Sequence, residues 1–348
     1  MKEMINQLID FCLNRPIEGS MPHKNINQII DYMKYHRIEG VLKGYFDFIG
    51  IKNEFLDLEV KKNIRSNESY IKLANKIAGK FEEKGINYAV LKGVALCKEI
   101  YEKTYYRKYS DLDILICEKD ISQVEEILNN LGFVHGIVRN GKLRKATRKE
   151  IIFKKLYTHE LFNFVKVDGE FVFNIDINFK FSWNGISNSF ENMIEIPSEE
   201  ALNSTKKLKN FPANILNNEY QFLHLCCHLY NESVFSVLDT EYFRTEPEDI
   251  FLNRILDIIL FSKKEKLNID KLQKMICKYK CDYKINFAID LITIITKIDE
   301  ISSLYNPNLE NRVDFWYDKA GNRLKRKRTF KDSIFALREN DGLFYYSN

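Results

Sequence analysis

Two aspartates stand one residue apart at the head of an apolar run, Ser110-Asp111-Leu112-Asp113-Ile114-Leu115-Ile116. Side chains alternate along a strand, so Asp111 and Asp113 would share one face and Leu112, Ile114 and Ile116 the other. Two carboxylates held side by side repel unless a cation lies between them. Hard oxygen ligands suit Mg2+ bound together with substrate phosphates. The chemistry this spacing offers is metal-dependent phosphoryl or nucleotidyl transfer. Asp also favours turns and caps, and taken alone the pair is better explained as a solvated strand start. The weight comes from its surroundings.

A third carboxylate, Asp176, lies in a run that alternates cleanly. Phe171, Phe173, Ile175, Ile177 and Phe179 form its apolar face, and Asn174, Asp176 and Asn178 its polar one. Asp168-Gly169 separates this run from Leu161–Val167, the strongest short-range signal of a hairpin. If the second hairpin strand pairs beside the Asp111 strand, three carboxylates converge, enough to hold one or two Mg2+ ions at a triphosphate. Lys92-Gly93 ends a short strand over Asn87–Leu91 and precedes a helix over Val94–Tyr101. Such a junction can aim backbone N–H groups at phosphate. Gly93 permits close approach and Lys92 adds a point charge.

His159 is a candidate for orienting a phosphate or acting on an acceptor, with Glu160 beside it; a surface His–Glu pair is an equal alternative. His224 and His228 are four apart and share a helix face. Their neighbours Leu223, Leu225, Cys226 and Cys227 favour core packing, or the lining of an acceptor pocket, over a zinc site. Asp257 could partner one of them.

The elements that must position these groups fall into four stretches. Residues 1–84 read as helical, with helices near Ile5–Cys12, from Asn25 onward, and over Tyr70–Phe81 before Lys84-Gly85. Residues 85–197 read as an α/β core in which Ile121–Leu131 is an amphipathic helix. Residues 198–305 turn helical again, and 306–348 form a basic, aromatic tail after the expected linker Asn306-Pro307-Asn308. The basic run Lys142–Lys149 is expected to be solvated. The run Lys325–Arg328, with Phe330, Phe335, Phe344, Tyr345 and Tyr346 nearby, offers a minority reading as an RNA contact.

Composition sets the outer limits. The 348 residues are 45% hydrophobic and 29% charged, the balance of a soluble globular protein with a sizeable core. A net charge of +4 tolerates an anionic substrate without demanding nucleic acid. Seven scattered cysteines without a Cys-x-x-Cys indicate neither a disulfide framework nor a zinc ribbon, and point to the reducing cytoplasm. No basic segment leads into an apolar one at Met1–Asn6, so no signal peptide is expected. The apolar runs are too short to span a bilayer.

Leu91-Lys92-Gly93-Val94-Ala95-Leu96, Tyr101, Arg107 and Ser110–Ile116 resemble the bacterial nucleotidyltransferase-like family with a Lys-Gly, Arg and Asp-x-Asp signature, a branch of the DNA polymerase beta nucleotidyltransferase superfamily. The resemblance runs on through Thr158-His159-Glu160-Leu161, the Asp176 strand, Leu223–His228 and Arg254–Ile258, covering roughly residues 70 to 260. It implies an α+β fold: a polymerase-beta-like mixed sheet with flanking helices, an N-terminal helical region and a C-terminal helical domain. It also implies transfer of a nucleoside monophosphate from an NTP, ATP foremost, to a hydroxyl acceptor, with Mg2+ or Mn2+ as cofactor. Asp111 and Asp113 would be metal ligands, and Asp176 a third ligand or the base toward the acceptor. Lys92, Gly93 and Arg107 would contact the triphosphate, and Ser110 and His159 belong with the nucleotide-binding group. The chain departs from the wider superfamily where the usual Gly-Ser is replaced by Lys92-Gly93. The modest charge favours a small-molecule or protein acceptor over long nucleic acid. The rivals are a catalytically silent regulatory, antitoxin or scaffold protein of the same fold, and an RNA-binding protein.

Overall fold

The computed structural model describes residues 1–17, 26–182, 194–234, 250–317, 322–326 and 329–335. The chain opens with helices α1 (Lys2–Cys12), α2 (Ile26–Tyr35), α3 (Glu39–Phe48) and the long α4 (Glu54–Glu83). Then follow β1 (Tyr88–Val90), α5 (Lys92–Glu99), β2 (Leu112–Ile116), α6 (Ile121–Asn130), β3 (Val134–Arg139), β4 (Lys142–Lys145), α7 (Arg148–Tyr157), β5 (Phe164–Asp168) and β6 (Phe171–Asn178). A short α8 (Ser198–Leu202) leads into β7 (Thr205–Leu208) and β8 (Phe211–Leu216). The remainder is α9 (Asn218–Val234), α10 (Leu252–Lys264), α11 (Ile269–Tyr279), α12 (Asp282–Ile295), a ribbon of β9 (Phe315–Tyr317) and β10 (Arg323–Lys325), and α13 (Phe330–Ile334).

Eight strands form one mixed sheet in the order β4-β3-β5-β6-β2-β1-β8-β7. The α+β class expected from the sequence is what the chain adopts. The hairpin at Asp168-Gly169 forms, with a one-residue difference from the expected turn. Asp168 pairs with Phe171, so Gly169-Glu170 is the loop. Gly169 has φ +60°, glycine at the first central position of a two-residue turn.

Alternation in the central strands divides the core in two. Val90, Leu112, Ile114, Ile116, Ile175, Ile177 and Ile215 face α4 and α6, meeting Tyr70, Ile77, Phe81, Val124 and Leu128. Ala89, Leu91, Leu115 and Leu216 face the other way, into a core shared by α1–α3 and α9–α12. The N-terminal and C-terminal helices are therefore one layer, although the sequence reads as two separate helical regions. Val313, Tyr317, Phe330 and Ile334 close the same core.

Several sequence expectations need correction. The helix over Tyr70–Phe81 is the second half of α4, which Asn53 caps by accepting from Leu56 N at 3.0 Å. Helix α3 was not anticipated. The stretch after 198 is not wholly helical, because β7 and β8 extend the sheet, β8 running parallel to β1. Lys142–Lys149 is solvated as expected, its residues forming the edge strand β4 and the start of α7. Asn306 is not in a free linker: its backbone N–H and C=O bond the Asn286 side chain. In the tail, Arg326 is buried and donates to Val313 O and Ser233 O, while Phe330 is a core residue, so neither is presented for RNA. Asn25, Lys327, Arg328, Phe344, Tyr345 and Tyr346 lie outside the described residues. All seven cysteines are free thiols. Among the described residues no helix is long and apolar enough to cross a membrane.

Candidate active site

Strand β2 runs parallel to β6, and the register places Asp113 directly beside Asp176. Both carboxylates face away from the α4–α6 core, as the alternation of their strands requires. Asp113 is 5% exposed. Burial, with Asp111 adding repulsion, pushes its carboxyl up to about 6 even though Lys92 pulls the other way. Asp176 is pushed well above the usual carboxylate range by burial and by Glu160, Asp113 and Asp111. The pair carries more negative charge than its surroundings neutralise.

Two donors occupy these carboxylates. Lys92 Nζ lies 2.8 Å from Asp113 Oδ1, and Asn163 Nδ2 lies 2.6 Å from Asp176 Oδ1. Burial works against the Lys92 ammonium, yet Asp113 outweighs it and holds it above the usual lysine range. The two partners do not respond alike: the lysine is stabilised, while its aspartate stays raised because burial outweighs the pull of the ammonium. Lys92 has φ +42°, a sparsely populated conformation for a long side chain, at the point where β1 turns into α5. Leu91 N–H donates to Asp113 O at 2.9 Å and ties the turn to β2. Gly93 is required by packing: a Cβ there would lie 2.8 Å from Tyr109 Cβ.

Helix α4 holds the loop that carries Asp111. Asn67 Nδ2 donates to Thr104 O and Arg107 O at 2.6 and 3.0 Å. Tyr70 Oη donates to Ser110 O at 2.5 Å and accepts from Asn174 N at 3.1 Å, joining the loop to β6. Arg107 reaches the other way. Its Nε donates to Asp257 Oδ2 at 2.9 Å and its Nη2 lies at the same distance, while Tyr101 Oη donates to Asp257 Oδ1 at 2.8 Å. Asp257 therefore partners Arg107 and Tyr101, not a histidine as the sequence suggested. Arg107 borders the cleft but is anchored to α10, which makes it a positioning residue for the loop.

The third side of the site is β6 and its approach. His159 Nε2 is 3.8 Å from Glu160 Oε2, and Lys154 of α7 pairs with Glu160 at 2.7 Å. Burial lowers His159 to about 4, so its imidazole is neutral at pH 7. Burial would raise Glu160, but Lys154 and His159 prevail and hold it at about 2.

Helices α9 and α10 form the opposite wall. His224 and His228 stack with rings 6° apart in plane, and burial depresses both. Only His228 borders the cleft. Arg254 pairs with Glu232 at 2.8 Å. Arg37, from the turn before α3, lies 4.5 Å over the Phe251 ring. Arg37, Lys108, Asn231, Glu232, Asn253 and Arg254 border the cleft and were not singled out in the sequence as site residues. A cation beside a glutamate on a helix carries no signal until the helix is docked.

These groups enclose a cleft of about 340 Å3. Lys92, Gly93, Arg107, Ser110, Asp111, Asp113, His159 and Asp176 all line it, so every site residue picked from the sequence faces one space. Asp111, Asp113, Glu160 and Asp176 gather on the sheet side, while Arg254 and Glu232 stand as a pair on the helix side. Among the described residues no three His, Cys, Asp or Glu side chains are already gathered at metal-binding spacing. The available donors are nonetheless carboxylate oxygens on one sheet face, the set a hard divalent cation prefers.

Residues 22–295 match the profile of a family described as "uncharacterised nucleotidyltransferase". The chain belongs to this family. No curated protein sequence matches this nucleotidyltransferase family member. Its fold is similar to that of the antibiotic-resistance factor ANT(2'')-Ia in a solution structure, at 14% identity, TM-score 0.35, covering 62% of this chain and 94% of the other. The crystal structure of ANT(2")-Ia with adenylyl-2"-tobramycin aligns at 13% identity and TM-score 0.33, over 62% and 99% of the two chains. An antigenic nucleotidyltransferase-like protein from Paracoccidioides brasiliensis aligns at 12% and 0.32, over 62% and 91%. Likenesses this slight say nothing about substrate.

Proposed function

We infer that this family member moves a nucleoside monophosphate from an NTP, ATP foremost, to a hydroxyl acceptor, with pyrophosphate leaving. The observation that supports this most directly is the register of Asp113 against Asp176 inside a cleft that Lys92, Lys108, Arg37 and Arg254 also border. Asp111, Asp113 and Asp176 would hold Mg2+, or Mn2+ in its place. Bound there with the triphosphate, the ion supplies charge neutralisation at the reacting phosphate. Lys108, Arg254 and Arg37 line the side where phosphate oxygens would lie. As an alternative to holding the ion, Asp176 in its ionised form would take the proton of the acceptor hydroxyl. The acceptor is a small molecule or a protein side chain.

Calorimetric titration with each NTP, with and without Mg2+, tests the reading. Wild type is expected to bind NTP only with the metal. Asp113→Asn is expected to lose that binding and turnover by about 100-fold or more while its circular dichroism stays unchanged. Indifference to Mg2+ in every titration sinks the proposal.

One contact favours a second reading, a silent fold: Lys92 Nζ sits on Asp113, where a cation would be needed. Lys92→Met separates the two. In an active enzyme the lysine leaves for the triphosphate, so the variant should bind Mn2+ alone about tenfold more tightly, yet lose turnover. In a silent fold, metal affinity stays undetectable in both proteins.

A further inference from the structure

Helix α7 is anomalous in this fold. It has a complete capping box, Thr147 Oγ1 accepting from Glu150 N while Glu150 accepts from Thr147 N, yet none of its ten residues is buried. Helices this short draw their stability mainly from packing an apolar face. Here that face meets solvent: Ile152, Leu156 and Tyr157 are 45%, 68% and 53% exposed. Phe153 stacks on Tyr157 with ring centroids 4.9 Å apart and continues the stripe. The neighbouring β4 is the terminal strand of the sheet, with its Leu143 40% exposed. Arg144 of β4 pairs with Glu150 of α7 at 3.1 Å, which makes the two elements one surface.

Charge is concentrated on the same surface. Residues 139–157 hold eight Lys and Arg and one Glu, a net +7, while the whole chain is +4, so the rest sums to −3. The surface also adjoins the cleft, because α7 runs straight into His159 and Glu160 and its Lys154 pairs with Glu160.

We propose that β4 and α7 dock an acidic polypeptide segment with apolar side chains, and that the docked segment presents the acceptor hydroxyl to the cleft. The clause on the acceptor rests on the nucleotidyl-transfer reading; the docking does not. Three features together select a polypeptide. The positive charge alone would suit nucleic acid or an anionic membrane. The aliphatic side chains Leu143, Ile152 and Leu156 favour a partner with apolar side chains over one held through phosphates, and Phe153 and Tyr157 pack on each other. The strand edge offers backbone hydrogen bonds that neither a lipid surface nor a nucleic acid can continue, whereas an extended peptide can.

The test uses the full chain and fluorescence anisotropy. The probe is a pool of short labelled peptides rich in Glu and Leu, each with one Ser and one Tyr, set against a Lys-rich pool, a single-stranded RNA and phosphatidylserine vesicles. Wild type is expected to prefer the acidic pool, and added salt to weaken that binding about tenfold. Leu156→Asp combined with Lys149→Glu should weaken it at least as much without altering NTP titration. Asp113→Asn should bind the pool as wild type does, but with Mg2+ and α-labelled ATP only wild type should label it. Equal binding of both pools, an unaffected double variant, or preference for RNA or vesicles overturns the docking. Docking without labelling overturns the acceptor clause alone.

Discussion

Acidification from roughly pH 7.5 to pH 5 is expected to remove about 3–5 kcal/mol of stability from the ligand-free protein. Four of the six histidines carry the effect. Burial depresses His36 and His224 to about 3 and His159 to about 4, and holds His228 well below the usual range. A group whose folded pKa is depressed contributes stability that is complete above its unfolded value. That contribution is lost as pH falls toward the folded value. With unfolded values near 6.5, each histidine withdraws about 2 kcal/mol by pH 5. The raised carboxyls oppose this: Glu99 at about 7, Asp113 at about 6, and the raised Asp176 and Asp257 gain stability as they protonate, which keeps the net loss below the histidines' sum. His36 shows the mechanism at one residue. It is fully buried between Tyr32 and Tyr35, and its Nδ1 accepts from Leu252 N at 3.2 Å, so a proton added there would confront that N–H. Urea denaturation across this pH range measures the effect, and His36→Gln should flatten the slope by one histidine's share. Stability that holds or rises toward pH 5 contradicts the account.

Asp257→Ala is expected to cost about 3–5 kcal/mol, because it leaves the Arg107 guanidinium buried without its counter-charge. Arg107 and Asp257 are both nearly inaccessible, and Tyr101 loses its acceptor in the same change. The damage should extend to the cleft, since Arg107 anchors the loop that ends in Asp111. The double replacement Arg107→Met with Asp257→Leu should recover most of the stability, as removing both ions of a buried pair often does. It should not recover NTP affinity. A single variant as stable as wild type in urea would show that the ion pair is dispensable.

The strands β1, β2, β5 and β6 and the β5–β6 hairpin were legible, while β3, β4, β7 and β8 and the pairing of β6 with β2 were not. Alternation over residues 171–179 put Asp176 on the polar face, but nothing local says that β6 lies beside β2, since that pairing joins segments some sixty residues apart. Arg107 was legible as a candidate, while its partner stands 150 residues later. Helix α3 falls in the stretch read as helical but was not picked out, and it carries Gly40 and Gly44, poor helix formers. Both are places where the chain comes too close for a side chain: a Cβ on Gly40 would lie 1.8 Å from Tyr105 O, and one on Gly44 2.5 Å from the Tyr106 ring. The first half of α4 was hidden because Asn63 and Asn67 interrupt its buried stripe, and Asn67 is the residue that holds the loop before Asp111. What the sequence obscured was largely what depends on distant partners or departs from a regular pattern for the sake of the site.

The shared core of the first and last helices has a consequence for how the molecule comes into being. Tyr32 donates to Ile334 O, a bond across 302 positions, and α1 and α3 share their core with α9–α12. During synthesis the first three helices emerge with their apolar faces uncovered and wait for most of the chain before they can close. Contacts of such long range make folding slow and leave early intermediates exposed to aggregation. The cleft draws on Arg37 before the sheet and Arg254 after it, so it is complete only once the helices from both sides of the sheet's sequence have docked together.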